Sequence, residues 1–152
     1  MTSFVFRYLT IEQLNARQLH QILQVRQEVF VVEQECAYQD CDDIDLTAIH
    51  VLGVKGHQLR SYCRVYTEAD SVHIGRVLVT KAFRKAGVAK KMMADVLGYI
   101  FRHFSHHQVI KLSAQSHLIP FYSEFGFVSV GTPYIEDGIP HQYMVRQLEL
   151  GS

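Results

Sequence analysis

The chain has 152 residues, 48% hydrophobic and 20% charged, with 15 basic and 15 acidic side chains that balance to a formal net charge of zero. That profile describes one globular domain, residues 1–152, with enough chain for a sizeable core, and it excludes a disordered polypeptide. Zero net charge argues against nucleic-acid binding through a broad basic face, so any phosphate recognition must be local.

No apolar run is long enough to cross a bilayer, and Met1-Thr2-Ser3 does not begin like a signal peptide. Cys36, Cys41 and Cys63 are odd in number and irregularly spaced, which favours a reducing, cytoplasmic setting over a disulfide framework. From Ser3 to Leu9, Phe4, Phe6 and Tyr8 alternate with Val5, Arg7 and Leu9, a first strand with an aromatic face. Asn15 can cap a helix, with Gln18 as its reciprocal partner. Leu19, Ile22, Leu23, Arg26, Val29 and Phe30 then share one helical face. Arg26 is out of place there, and either pairs with a carboxylate of the next loop or reaches a substrate.

That loop, Glu33 to Asp45, holds Glu33, Glu35, Asp40, Asp42, Asp43 and Asp45. Asp40-x-Asp42 starts like a calcium loop, but Asp45 stands where glycine is required and Val51 where glutamate is required. Ile49 to Lys55, the Gly56-His57 turn and Gln58 to Tyr66 read as a β-hairpin. Ser71 to Val79 is a further strand, whose contiguous Val77-Leu78-Val79 suits burial on both faces. Thr80 to Phe83 break the pattern. A long helix then carries Val88, Met92, Val96, Leu97, Ile100 and Phe104 on one face. Strand, basic glycine-containing turn and helix together aim unpaired N–H groups and the positive end of a dipole at one spot, which suits a phosphate. Neither a nucleotide P-loop nor a three-glycine dinucleotide fingerprint is present.

His103, His106 and His107 follow at the helix end with no cysteine or carboxylate at ligand spacing, so no metal site is expected. Val109 to Gln115 is a strand, and Leu118 to Phe125 a short helix with Pro120 in its first turn and Gly126 as its stop. Phe127 to Val130 and Gln142 to Leu150 are the last strands, joined by a linker from Tyr134 to His141. The order implies an α/β sandwich around a mixed sheet.

Arg84-x-x-Gly87-x-Ala89 resembles the acyl-CoA pyrophosphate loop of the Gcn5-related N-acetyltransferases (GNAT). Phe121-Tyr122-Ser123-Glu124-Phe125-Gly126-Phe127 resembles the Phe-Tyr-x-x-x-Gly-Phe signature of the same family, in the family's order and setting. More narrowly, Arg26-x-x-Val29-Phe30-Val31-Val32-Glu33-Gln34, Asp40-x-Asp42, His50 and Glu136-Asp137-Gly138-Ile139-Pro140-His141 look like the ElaA subfamily of bacterial acetyltransferases, across nearly the whole chain. The resemblance implies the GNAT acyl-CoA N-acyltransferase fold, a mixed central β-sheet flanked by helices on both faces, with acetyl-CoA as cosubstrate and no metal. It implies pantetheine pairing by the backbone of Val77 and Val79 around Leu78. Pyrophosphate binding would fall to the amides of Arg84, Lys85, Ala86, Gly87, Val88, Ala89 and Lys90. Gln115 stands where the family often has an asparagine touching the cofactor arm, and Ala89 where glycine is commoner.

The same resemblance makes Tyr122 a general acid for the departing CoA thiolate. Direct transfer to an amine also needs a base or a water relay; Glu33, His141 and His73 are candidates, each with an ordinary role as its alternative. Arg76, inside an apolar strand, either pairs with a buried carboxylate or grips a substrate carboxylate. The acidic loop is either a solvated surface or a field that draws in a cationic acceptor. The leading expectation is an acetyl-CoA-dependent N-acetyltransferase acting on a small-molecule or peptide amine in a ternary complex, with no nucleic-acid or membrane partner and a homodimer allowed. A non-catalytic acyl-CoA sensor and a relative of the homoserine-lactone synthases are the alternatives.

Overall fold

A computed structural model describes residues 4–148. Met1-Thr2-Ser3, and the Glu149 and Leu150 end of the expected last strand, lie outside the described residues. The elements are β1 (Phe4–Leu9), α1 (Ala16–Arg26), β2 (Ile49–Lys55), β3 (Gln58–Glu68), β4 (Ser71–Val79), α2 (Val88–His103), β5 (Val109–Gln115), α3 (Ile119–Ser123), β6 (Val128–Ser129), β7 (Tyr134–Glu136) and β8 (Ile139–Gln147). They form one mixed sheet in the order β1-β2-β3-β4-β5-β8-β6, with β7 also on β8. All described neighbours are antiparallel except β4 and β5.

Helix α1 starts with the expected capping box: the Gln18 amide donates to Asn15 Oδ1 at 2.8 Å, and the Asn15 amide donates to Gln18 Oε1 at 2.9 Å. It does not simply continue. Residues Gln27–Glu33 widen into a π-helical turn, which hands the chain to the acidic loop. Ile22, Val25 and Val29 pack on Leu52, Leu59, Tyr62 and Leu78, so α1 covers β2, β3 and the end of β4 on one face. On the other face Met92, Met93, Val96, Leu97 and Ile100 of α2 pack on Val51, Val65, Val72, Ile74 and Ile110.

The pairing of β3 with β4 slips by one residue: Tyr62 faces Leu78 and Arg64 faces Gly75, leaving Arg76 and Val77 opposite Cys63 alone. At this bulge Arg76 takes a left-handed φ of +53°. The extra residue reverses the alternation, so Val72 and Ile74 face α2 whereas Leu78 faces α1.

The linker from Tyr134 to His141 is a second correction. Asp137 and Gly138, with φ of +50° and +78°, make a tight turn between β7 and β8, so the segment is a hairpin. Pro140 is tolerated in β8 because it pairs with Ile135 beyond the end of β5, whose last partner is His141.

Candidate active site

The parallel strands β4 and β5 pair only over Ser71–Val109, Val72–Ile110 and His73–Lys111. Beyond His73 they part, and β4 runs on to Val79 with its β5-side edge open. A cavity of about 780 Å³ fills the wedge, bounded by the backbone of Ile74 to Val79 on one lip and Leu112, Ser113 and Gln115 on the other. The edge of β4 therefore offers unpaired backbone groups to a ligand running along it.

The turn above the wedge has the shape expected for an anion. Lys85 and Gly87 both have positive φ, +65° and +77°, and Gly87 is the N-cap of α2 without any side-chain cap. The first helical bond is Lys91 N–H to Gly87 O at 3.1 Å, so the amides of Val88, Ala89 and Lys90 have no partner within the helix. A Cβ at Gly87 would meet nothing within 4 Å, leaving that side of the turn open to a ligand. Ala89 lines the cavity and its methyl keeps the approach clear.

The Arg84 side chain folds back from this turn. Its Nε donates to Val79 O at 2.9 Å, and Nη1 and Nη2 donate to the two Glu33 oxygens at 2.7 and 3.0 Å. The Arg84 hydrogen bonds hold the Glu33 carboxyl below its ordinary value. A carboxylate so engaged is a weak proton acceptor.

Tyr122 is buried in the cavity wall on α3, edge-on to Phe121 and Phe127. Among the described residues nothing hydrogen-bonds its hydroxyl, and burial pushes the phenol up, so it stays protonated at neutral pH. His141 is also buried in the wall, with Nδ1 2.7 Å from Ile139 O. A carbonyl only accepts, so Nδ1 carries a proton, and Nε2 lies 3.6 Å from Glu136 Oε2. His73 sits at the closed end of the wedge, stacked on Tyr66, with Nε2 2.9 Å from Ser71 Oγ. Burial lowers its basicity. Gln115 lines the wedge directly beside His141.

Two expectations are corrected. Arg26 is not a substrate contact: it is 0% exposed, and its guanidinium donates to Asp40 Oδ2 at 2.7 Å, Asp45 Oδ1 at 2.6 Å and Asp40 O at 2.7 Å. In the acidic loop Asp40, Asp42 and Asp45 are ion-paired rather than solvated, whereas Glu35 and Asp43 stay exposed. Arg64 binds Asp42 at 2.6 Å and Asp45 at 2.9 Å, and Arg76 Nε lies 2.9 Å from Asp40 Oδ1. Three arginines thus neutralise Asp40, Asp42 and Asp45. Arg76 takes the first of its two alternatives, an ion pair, although its side chain also lines the cavity. Sequence reasoning missed Lys111, Ser113, Tyr134 and Tyr143, which also line the wedge. Their signal was the alternation of β5 and the Asp-Gly dipeptide that makes β7 and β8 a hairpin.

A family model described as an acetyltransferase (GNAT) domain matches residues 12–148. Protein ElaA of Escherichia coli is 43% identical over 141 residues, 90% of this chain and 92% of that protein. Its crystal structure superposes with a TM-score of 0.88 at 41% identity, covering 93% of this chain and 99% of that one. An acyl-CoA N-acyltransferase from Pseudomonas aeruginosa gives 0.86 at 35% identity, covering 96% and 99%. A CoA-dependent acyl-homoserine lactone synthase, solved with isopentyl-CoA, gives 0.80 at 14% identity over 98% and 84%, a likeness of fold alone.

Proposed function

Since the chain belongs to the GNAT acetyltransferase family, we propose that it moves the acetyl group of acetyl-CoA directly to an amine of a small molecule or peptide in a ternary complex. The observation that carries this reading is the wedge between β4 and β5, open at one end to the uncapped start of α2 and walled by Tyr122 and His141.

Acetyl-CoA lies along β4 in this reading, its arm paired to the backbone of Val77 and Val79 and its pyrophosphate on the amides of Val88, Ala89 and Lys90. His141 Nε2 takes the ammonium proton of the acceptor, directly or through a water, and Glu136 steadies the imidazolium. The neutral amine attacks the thioester carbonyl, whose developing oxyanion is met by N–H groups of the open strand edge. As the C–S bond breaks, the Tyr122 hydroxyl donates its proton to the sulfur. The acylated nitrogen releases its surplus proton to solvent, and Tyr122 is reprotonated from solvent, so that the products are an N-acetyl amine and free CoA. Glu33 is the weaker base because Arg84 occupies it, and His73 because burial and Ser71 occupy it.

A thiol-release screen of amines, amino acids, polyamines and peptides with acetyl-CoA tests the activity; binding without release would return the sensor alternative. Tyr122→Phe tests the mechanism. Single-turnover rates should fall roughly 10²-fold, with acetyl-CoA affinity changed by less than about threefold. Rates within about twofold of the parent would make Tyr122 a packing residue.

A further inference from the structure

The wall facing the acceptor side is polarised. Lys111, Ser113 and Gln115 share one face of β5, and the register sets them beside Val145, Tyr143 and His141 on β8. Helix α1 stops over β4, so this face carries no helix. Four basic side chains apart from histidine line the cavity. Arg64, Arg76 and Arg84 are each ion-paired, whereas Lys111 has no carboxylate partner among the described residues. The opposite end carries Glu136 and Asp137 on the β7–β8 hairpin, beside His141. Between the two ends lies an aromatic floor: Tyr134 stacks on Tyr143 with centroids 4.7 Å apart, and on His141 at 5.9 Å. A second hollow of about 430 Å³, open to solvent, shares His73, Lys111 and Tyr143 with the main cavity and is bordered by Val130, Gly131 and Val145.

Resting on the amine-transfer reading, we propose that the acceptor is an amine whose far end is a carboxylate held by Lys111, with an apolar segment between them, the chemistry of a di- or tripeptide or of an ω-amino acid. The ammonium enters at Glu136 and His141, and the carboxylate ends at Lys111. From Lys111 to Gln115, which faces His141, β5 spans about 13 Å at about 3.3 Å per residue, and the lysine stem shortens that gap. Two or three peptide residues at about 3.3–3.6 Å each fill the remainder, and an α-amino acid alone does not. The second hollow takes the apolar side chain beside the carboxylate against Val130 and Val145. A polyamine would meet Lys111 with like charge, and Asp40, Asp42 and Asp45 of the acidic loop are already paired with arginines.

The test compares Gly-Gly-Leu, its C-terminal amide, ω-amino-octanoate, octylamine and spermidine as acceptors, in the parent protein and in Lys111→Met and Lys111→Arg. The free acid should exceed the amide in kcat/KM by about tenfold or more, the size of one charge-assisted hydrogen bond. In Lys111→Met this ratio should fall to near one through KM, and Lys111→Arg should restore most of it. The acetyl-CoA-induced rise in Tm should be the same in all three proteins. Preference for ω-amino-octanoate over the tripeptide would identify the source of the carboxylate and support the same site. Transfer to octylamine or spermidine with no preference for acid over amide would overturn the inference and leave the transferase reading standing. Calorimetric binding of Gly-Gly-Leu to the CoA-loaded protein separates the two readings. Lys111-dependent binding without thiol release from any amine would overturn the transferase reading alone; absence of Lys111-dependent binding would overturn the inference.

Discussion

Replacing Arg26 by methionine keeps the length and apolar bulk of the side chain and removes only the guanidinium. Three hydrogen bonds of 2.6–2.7 Å are lost from a side chain that is 1% exposed. Truncating one partner of a buried pair costs about 3–5 kcal/mol, because the charges left behind are uncompensated. Here the lower half of that range applies. Asp45 keeps Arg64 at 2.9 Å and the Asp42 amide at 3.1 Å, and Asp40 keeps the Tyr38 hydroxyl at 2.8 Å and Arg76. Only Asp40 Oδ2 loses its partner outright, a cost of about 1–3 kcal/mol within that sum, since the Asp40 carbonyl keeps Arg76 Nη2 at 3.1 Å. A loss of about 3–4 kcal/mol corresponds to roughly 6–16 °C in Tm for a chain of this size. Urea unfolding followed by circular dichroism measures it, with the slope unchanged. Arg26→Lys should recover less than half, since an ammonium cannot span both carboxylates and the carbonyl. A change below about 1 kcal/mol, accompanied by a raised acceptor KM, would refute the structural role and restore Arg26 as a substrate contact.

Gly87→Glu places a negative side chain where the pyrophosphate lies and forces an L-residue to φ +77°. The rise in Tm given by acetyl-CoA, about 5–10 °C at a hundredfold excess over Kd, should vanish, and an undiminished rise would sink the phosphate-turn assignment. His141→Gln should lower kcat by about 10²–10⁴-fold, and Glu33→Gln by far less; the reverse order would make Glu33 the base. Burial alone would raise the Asp45 carboxyl, but Arg26 and Arg64 outweigh it and hold it at about 2, against an ordinary 3.8. A folded-state value below the unfolded one gives stability present above pH 3.8 and lost as pH falls through about 2, roughly 2 kcal/mol in all. Carboxyl NMR should find the Asp45 midpoint near 2, and a midpoint at the ordinary value would count against the buried cluster.

What could be read from the sequence was what local chemistry decides. Ser71–Val79 and Val109–Gln115 were found to the residue because alternation and contiguous apolar runs mark strand ends. The Asn15–Gln18 box and the Gly126 stop, at φ +86°, are likewise local. The linker from Tyr134 to His141 was misread because Pro140 demotes a strand in isolation, and only the early end of β5 makes it harmless. The π-turn at Gln27–Glu33 left no mark, since Val29 and Phe30 continue a helical spacing whatever the hydrogen-bond ladder does. Asp40, Asp42 and Asp45 of the acidic loop looked solvated because their partners come from α1, β3 and β4, up to 36 residues away. Lys111 was invisible as a site residue for a similar reason: alternation says that it leaves the core, and only the reach of α1 says that no helix covers it.

The buried charge cluster and the open wedge are one device. A strand that left β5 without changing its twist would keep pairing or expose its core face. β4 leaves at a bulge whose key residue, Arg76, is neither glycine nor asparagine yet takes φ +53°, a conformation that costs about 1–2 kcal/mol. That cost is offset where Arg76 meets Asp40 at 2.9 Å and the Tyr38 ring at 5.4 Å. Asp40 is in turn fixed by Arg26, so α1, the acidic loop and the cofactor-facing edge of β4 are held as one piece. The reversed alternation then puts Leu78 under α1 and leaves Val77 on the α2 core, which keeps the backbone between them stretched along the cavity. Arg26 and Arg76 stand in the sequence as if they awaited a substrate. Their charge is instead spent on the shape of the strand along which the substrate lies.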